Sequence, residues 1–282
     1  MIMYNRLSRA IRRQNEGLTY LTTTDSSYIL SMAVSPDIDV EADPRVTGEY
    51  VRQLSGAHGT LTLVGVVHDH PASIYRVQHV IERVDPEILA VELPPISLPL
   101  FEQYAATDRT PPRFGGEMSA AIQAAAPGTA VGIDRPTGGF FRRLARTVLR
   151  ERPSLNTVRN VVDNVIETTD HALRCRAAAA IGAYTTIRLD VDAPTPHDID
   201  RTATAAEQAR DERTQVRRSR SFMNAFRTAS RSRASRLEDD AREAAMATRL
   251  AALRGDSDDA IVAVVGIDHL DSLVGRFDAM AE

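Results

Sequence analysis

The 282-residue chain has no tryptophan, a single cysteine and no lysine, all 34 of its basic residues being arginine. One cysteine, Cys175, excludes an internal disulfide framework and any multi-cysteine zinc site, and it fits a reducing compartment. Aromatics are scarce, at 5% of residues. No apolar run approaches the roughly 18–20 residues needed to span a membrane. The stretch Met1–Gly17 carries basic residues with no apolar run after them, a poor secretory signal. A soluble, cytoplasmic protein is the expectation. The arginine-only basic set with many alanines suggests a GC-rich genome more than a function, and a net charge of -4 is too mild to mark salt adaptation.

Two Gly-x-x-His elements stand out against these absences: Gly65-Val66-Val67-His68 and Gly266-Ile267-Asp268-His269, near opposite ends of the chain. Each closes a run of β-branched and aliphatic residues, so each reads as a buried strand presenting a histidine at its carboxyl end. Ligands of open α/β sheets collect at that edge.

With a hydrophobic fraction of 43%, the chain can bury one large core. Residues 1–55 give a weak, polar, turn-rich signal and are set apart as an N-terminal extension; residues 56–282 form the expected α/β domain. The pattern then reads strand 60–67, a helix N-capped by Ser73 and stopped at Asp85-Pro86, and strand 88–93. This βαβ order predicts a parallel pair with a right-handed crossover. A helix over about 98–106, another over 117–126 and a short strand over 129–133 follow. The middle, about 150–255, is largely helical and arginine-rich; 185–191 stays ambiguous. A last strand, 260–265, and a helix, 270–280, close the chain. The fold class is α/β: a central, mostly parallel sheet flanked by helices.

Several polar residues fall at the carboxyl edge. His68 either serves a site or satisfies loop backbone groups. His70 reads as a surface or supporting residue, with a second ligand as the alternative. Glu92 ends an apolar strand, where a carboxylate must be paired, hydrogen-bonded or metal-bound; a salt bridge to an arginine is the plain alternative. His269 repeats His68, flanked by Asp268 and Asp271. Two histidines and one glutamate form a familiar three-ligand set for a catalytic divalent metal with an open water position. Arg135 either binds an oxyanion or pairs with Asp134. Glu117 opens a helix, where the dipole already accounts for it. Arg242-Glu243 reads as an exposed ion pair. The stretch 207–236 has nine arginines against three acids; a solvated face or docking to an acidic partner is expected there, not nucleic acid.

Four blocks resemble the TraB/PrgY pheromone-shutdown family in family order. They are LVGVVHDHPASIYRVQHVIERVDPEILAVELPP, GGEMSAAIQAAAPGTAVGIDRP, DDAREAAMATRLAAL and AIVAVVGIDHLDSLVGRF, together covering most of residues 60–278. That family is similar to the TIKI proteins and is grouped with EreA/ChaN-like folds. The resemblance implies metal-dependent peptide cleavage centred on His68, Glu92 and His269, with a divalent ion (Mn, Co or Zn). Glu92 would be a ligand or the general base, and Glu117, Arg135, Arg242 and Glu243 would be supporting catalytic positions. Val66-Val67 replaces the usual small pair before the first histidine, and Pro94-Pro95 stands where an arginine often follows "VEL". The C-terminal membrane helices of many relatives have no counterpart here. The leading expectation is therefore a metal-dependent hydrolase of a peptide or other amide. The rivals are a non-catalytic binder of a peptide or haem-like ligand, a metal-free esterase-like hydrolase using His68 and Glu92, and a protein that docks through its arginine-rich helices. A homo-oligomer remains open.

Overall fold

The β-branched runs become the strands of one five-stranded sheet: β1 (Val51–Ser55), β2 (Thr60–Val66), β3 (Ile88–Val91), β4 (Ala130–Gly132) and β5 (Ile261–Gly266). The computed structural model describes residues 43–55, 59–185, 189, 191, 195–227, 233–255 and 259–281. Strand order is β1-β2-β5-β3-β4, with β1 antiparallel and every other pairing parallel. Among the described residues, eight helices flank the sheet: α1 (Pro71–Val84), α2 (Leu98–Ala105), α3 (Gly116–Ala124), α4 (Gly138–Glu151), α5 (Leu155–Tyr184), α6 (Ala205–Arg227), α7 (Arg233–Arg254) and α8 (Ile267–Ala281). The expected α/β class and mostly parallel sheet are what the chain forms.

Side chains alternate across the sheet, and this splits the core in two. Leu61, Leu63, Ile261, Ala263 and Val265 pack with Met246 and Leu250 of α7 and Leu270 and Phe277 of α8. Val64, Val66, Val262, Val264 and Val91 pack on the other face with Ile74, Val77 and Ile81 of α1 and Met118 and Ala121 of α3. Strand β5 is apolar on both faces, as a central parallel strand must be.

The structure corrects three expectations. First, β2 and β3 are not neighbours: β5, from the far end of the chain, lies between them and pairs with both. Local pattern identifies a buried strand without saying which strand it lies beside. Second, residues 51–55 form β1, which pairs with β2 along its length, so the sheet extends into the stretch set apart as an extension. Third, α1 starts at Pro71 and its cap is His70, whose Nδ1 accepts from Ala72 N. Proline suits the first helical position because its missing N–H would be unpaired there. Ser73 lies inside the first turn and is used otherwise. The ambiguous stretch 185–191 falls mostly outside the described residues.

Ser73 belongs to a buried polar knot. Its Oγ accepts from Val67 N (2.8 Å) and donates to Glu212 Oε1 (2.5 Å). Both oxygens of Glu212 accept from the Arg76 guanidinium, and both side chains are wholly buried. Arg76 also donates to Gly65 O (2.8 Å) and Arg45 O (2.6 Å) and lies over the Tyr50 ring. The knot fastens α6 and α1 to the end of β2, one step before His68. The arginine-rich stretch is thus anchored in the core at Glu212 and Val216 while Arg217 and Arg218 stay exposed.

Glu212→Ala would strand the Arg76 charge. It should cost about 3–5 kcal/mol, read from the urea midpoint, whereas the exposed Arg218→Ala on the same helix should change stability by less than about 0.5 kcal/mol.

Candidate active site

Strand ends and helix starts bring the sequence-predicted residues to the carboxyl edge of the sheet. His68 sits in the turn between β2 and α1, Glu92 just after β3, Asp134 and Arg135 just after β4, and Glu117 in the first turn of α3. β5 runs directly into α8 at Ile267, so His269 lies in a first helical turn, three residues earlier than the helix start expected at 270. Gly65 permits this junction: a Cβ there would lie 2.8 Å from Ile267 Cδ1 and 3.0 Å from Leu270 Cδ2.

Two hydrogen-bonded centres result. In the first, His68 Nδ1 is 2.7 Å from Glu117 Oε1, and Glu117 Oε2 accepts from Asp69 N at 2.8 Å. Glu117 is buried while the His68 side chain is 64% exposed. The carboxylate fixes the ring by Nδ1 and leaves the Nε2 edge toward solvent and the adjoining cavities. The Glu117 hydrogen bond pushes the His68 pKa up to about 9, with burial acting the other way and Glu92 adding a smaller upward pull. Gly116, at φ +50°, allows α3 to start here, since a Cβ would fall 2.2 Å from Asp69 Oδ1. The helix dipole explains why an acid suits position 117, but its partner is the histidine.

The second centre is built around Arg242 of α7. Its Nε and Nη2 donate to the two oxygens of Asp134 (2.7 and 2.6 Å), Nη2 also donates to Glu92 Oε1 (2.6 Å), and Nη1 lies 2.8 Å from His269 Nε2. Glu92 Oε2 accepts from Gly266 N (2.6 Å). His269 Nδ1 is 3.0 Å from Glu243 Oε1, and Glu243 Oε2 accepts from Ser272 Oγ. A guanidinium only donates, so Nε2 accepts and the ring is the neutral Nδ1–H tautomer. Burial disfavours charge on His269, while Glu243 and Glu92 raise its pKa overall; protonation at Nε2 would break the Arg242 contact. Arg242 itself stays charged, because Asp134 and Glu92 outweigh its burial. The expected exposed pair Arg242-Glu243 is instead largely buried at the centre of the edge.

The remaining candidates are placed differently from their expected roles. Arg135 pairs through Nη1 with Glu238, which also accepts from Asn164 Nδ2, so its ion-pair partner is Glu238 of α7 and not the neighbouring Asp134. His70 is buried, capping α1 through Nδ1 and meeting Asp211 Oδ2 at 3.2 Å through Nε2, so it is not a surface residue. His197, which the sequence did not flag, donates from Nε2 to His68 O at 2.7 Å. It lies in the irregular stretch Thr195-Pro196-His197, where no periodicity marks a role.

Two cavities meet at His68 and Glu92. One, about 350 Å³, runs between α2, α3 and α5 and is lined by Leu93, Leu100, Phe101, Tyr104 and Met118 as well as Glu117. Ser97 also lines it, with a buried Oγ that has no hydrogen-bond partner among the described residues. The other, about 290 Å³, is the more polar of the two, with Gln215, Ser219, Arg242 and His269 in its wall beside Val66, Val67 and Val216.

The donor set does not fit the divalent ion that the resemblance implies. Both Glu92 oxygens and His269 Nε2 are already occupied by donors, and Arg242 places its charge between them. Among the described residues no three His, Cys, Asp or Glu side chains converge on a metal position. No helix is long and apolar enough to cross a membrane among the described residues. Comparison with family models, curated proteins and solved structures finds no match.

Arg242→Met would leave Glu92 and Asp134 buried without their cation. A loss of about 3–5 kcal/mol in urea unfolding is expected. Arg242→Lys should recover only part of it, because an ammonium cannot reproduce the forked contact to Asp134.

Proposed function

We propose that this chain is a metal-independent hydrolase of esters or amides, in which His68, oriented by Glu117, activates water. The observation that carries the reading is the 2.7 Å His68–Glu117 contact with the opposite ring edge open beside a partly apolar cavity. A carboxylate on Nδ1 fixes the tautomer of a histidine whose Nε2 takes the proton, and it stabilises the imidazolium that forms. Water gives its proton to Nε2 as its oxygen bonds to the substrate carbonyl carbon. The proton then passes from Nε2 to the leaving oxygen or nitrogen as that bond breaks. The apolar cavity suits an acyl or aromatic group, with Ser97 Oγ able to meet a polar atom on it. Arg242 acts on Glu92 and His269 as the fixed positive charge at the polar cavity. The resemblance to the TraB/PrgY family is consistent with a hydrolase centred on these residues; its metal is not part of the reading.

The test is turnover of a series of nitrophenyl esters and aminoacyl anilides in strong chelator. Chelator should leave the rate unchanged, and His68→Ala should lower it about 10²–10⁴-fold. Turnover that needs an added divalent ion, or none across the series, would overturn the proposal; stoichiometric ligand binding without turnover would favour the binding protein.

The pH profile follows from the raised pKa. A pKa above the ordinary 6.5 means that His68 is protonated at neutral pH and gains its base form only as pH rises. The rate should climb through a limb near pH 9, and Glu117→Gln should move that limb toward neutral pH while lowering the plateau.

A further inference from the structure

Helix α5 is 30 residues long, about 45 Å at 1.5 Å per residue. One side faces the protein through Val161, Ala172, Cys175 and Ala179. A second side carries large apolar residues in solvent: Leu155 is 87% exposed, Ile166 61%, Leu173 56% and Tyr184 91%, with Val162 also exposed. Scattered single exposures need no explanation, but a continuous apolar stripe marks an interaction surface. At 100° per residue, Leu155, Val162, Ile166, Leu173, Ala177 and Tyr184 fall on one narrow stripe, which the exposed Arg159 interrupts near its N-terminal end. Their spacing alternates close to sevens and fours, the seam of a helix that pairs with another helix.

The stripe is also symmetric about its own middle. Leu155 and Tyr184, Val162 and Ala177, and Ile166 and Leu173 are each equidistant from the point between Thr169 and Asp170. A two-fold axis through that point, lying in the contact plane, places each member of a pair opposite the other on an antiparallel copy. A self-complementary patch is what an isologous dimer requires. Charge agrees: Asp163 and Arg174 lie on the same flank of the stripe, on either side of its midpoint, so antiparallel pairing brings each near its opposite on the second copy. Both are exposed and, among the described residues, make only helix-internal ion pairs, with Arg159 and Asp170 respectively.

We propose that α5 is the contact surface of an antiparallel homodimer, with Ile166 packed against Leu173 of the second copy beside the two-fold axis. This rests on the α5 surface alone and is independent of the proposed hydrolysis. Sedimentation equilibrium of the full chain should give twice 30.9 kDa, and Ile166→Arg with Leu173→Arg should return it to 30.9 kDa with an unchanged circular dichroism spectrum. Cysteine cross-linking tests the register, with the wild-type chain, whose one cysteine is buried, as control. Mixed Ile166→Cys and Leu173→Cys chains should cross-link under oxidation. Ile166→Cys alone should not, because its two copies would stand about 10 Å apart along the helices, beyond the ~7 Å Cα reach of a disulfide. A monomeric wild type, or self-cross-linking of Ile166→Cys, overturns the proposal. So does a monomer that dimerises only when residues 1–42 are removed, which would assign the stripe to that segment.

Discussion

The carboxyl edge of the sheet depends on one buried cation. Glu92 and Asp134 leave β3 and β4 with carboxylates that the apolar core cannot solvate, and Arg242 answers both from α7. Forked, charge-assisted bonds to Asp134 and a shared Nη2 toward Glu92 give the guanidinium the multiple partners that make a buried ion cluster tolerable. By also meeting His269, the same side chain ties α8 to the group. Four elements that share no local sequence are joined at one charge.

That arrangement divides the two histidines, which look alike as sequence. His269 is sealed between Arg242 and Glu243, both nitrogens committed. His68 has one nitrogen committed to Glu117 and its ring mostly open. The first is a structural and electrostatic element of the polar cavity, and the second is the group that can exchange a proton with a ligand. The buried knot of Arg76, Glu212 and Ser73 fixes the strand end just before His68, so the dyad rests on a rigid support while its open edge faces solvent.

The strands of this fold were legible because β-branched runs bounded by turns report burial directly, and Glu92, His68 and His269 were legible as polar residues ending such runs. Strand order was not: that β5 lies between β2 and β3 is decided by packing of the whole chain. The pairings at the edge were hidden for the same reason. Glu117 meets His68 across 49 residues and Arg242 meets Glu92 across 150, and neither helix pattern distinguishes an inward-facing charge from a solvated one. Arg242 sits in a run of alanines and charges that reads as a surface helix. His70 is hidden as a cap because that role depends on Pro71 starting the helix, three residues earlier than a Ser73 cap implies. The block resemblance drew attention to Glu117, Arg242 and Glu243, but their partners came only from geometry.

The central claim is that Arg242 holds the position between Glu92 and His269 that a metal ion would otherwise take. Crystals soaked separately in manganese, cobalt and zinc, with data collected at each absorption edge, test it directly. The account predicts no anomalous peak between Glu92 and His269 and an unmoved Arg242 guanidinium. An ion bound there, with Arg242 displaced and His68 turned toward it, would contradict it.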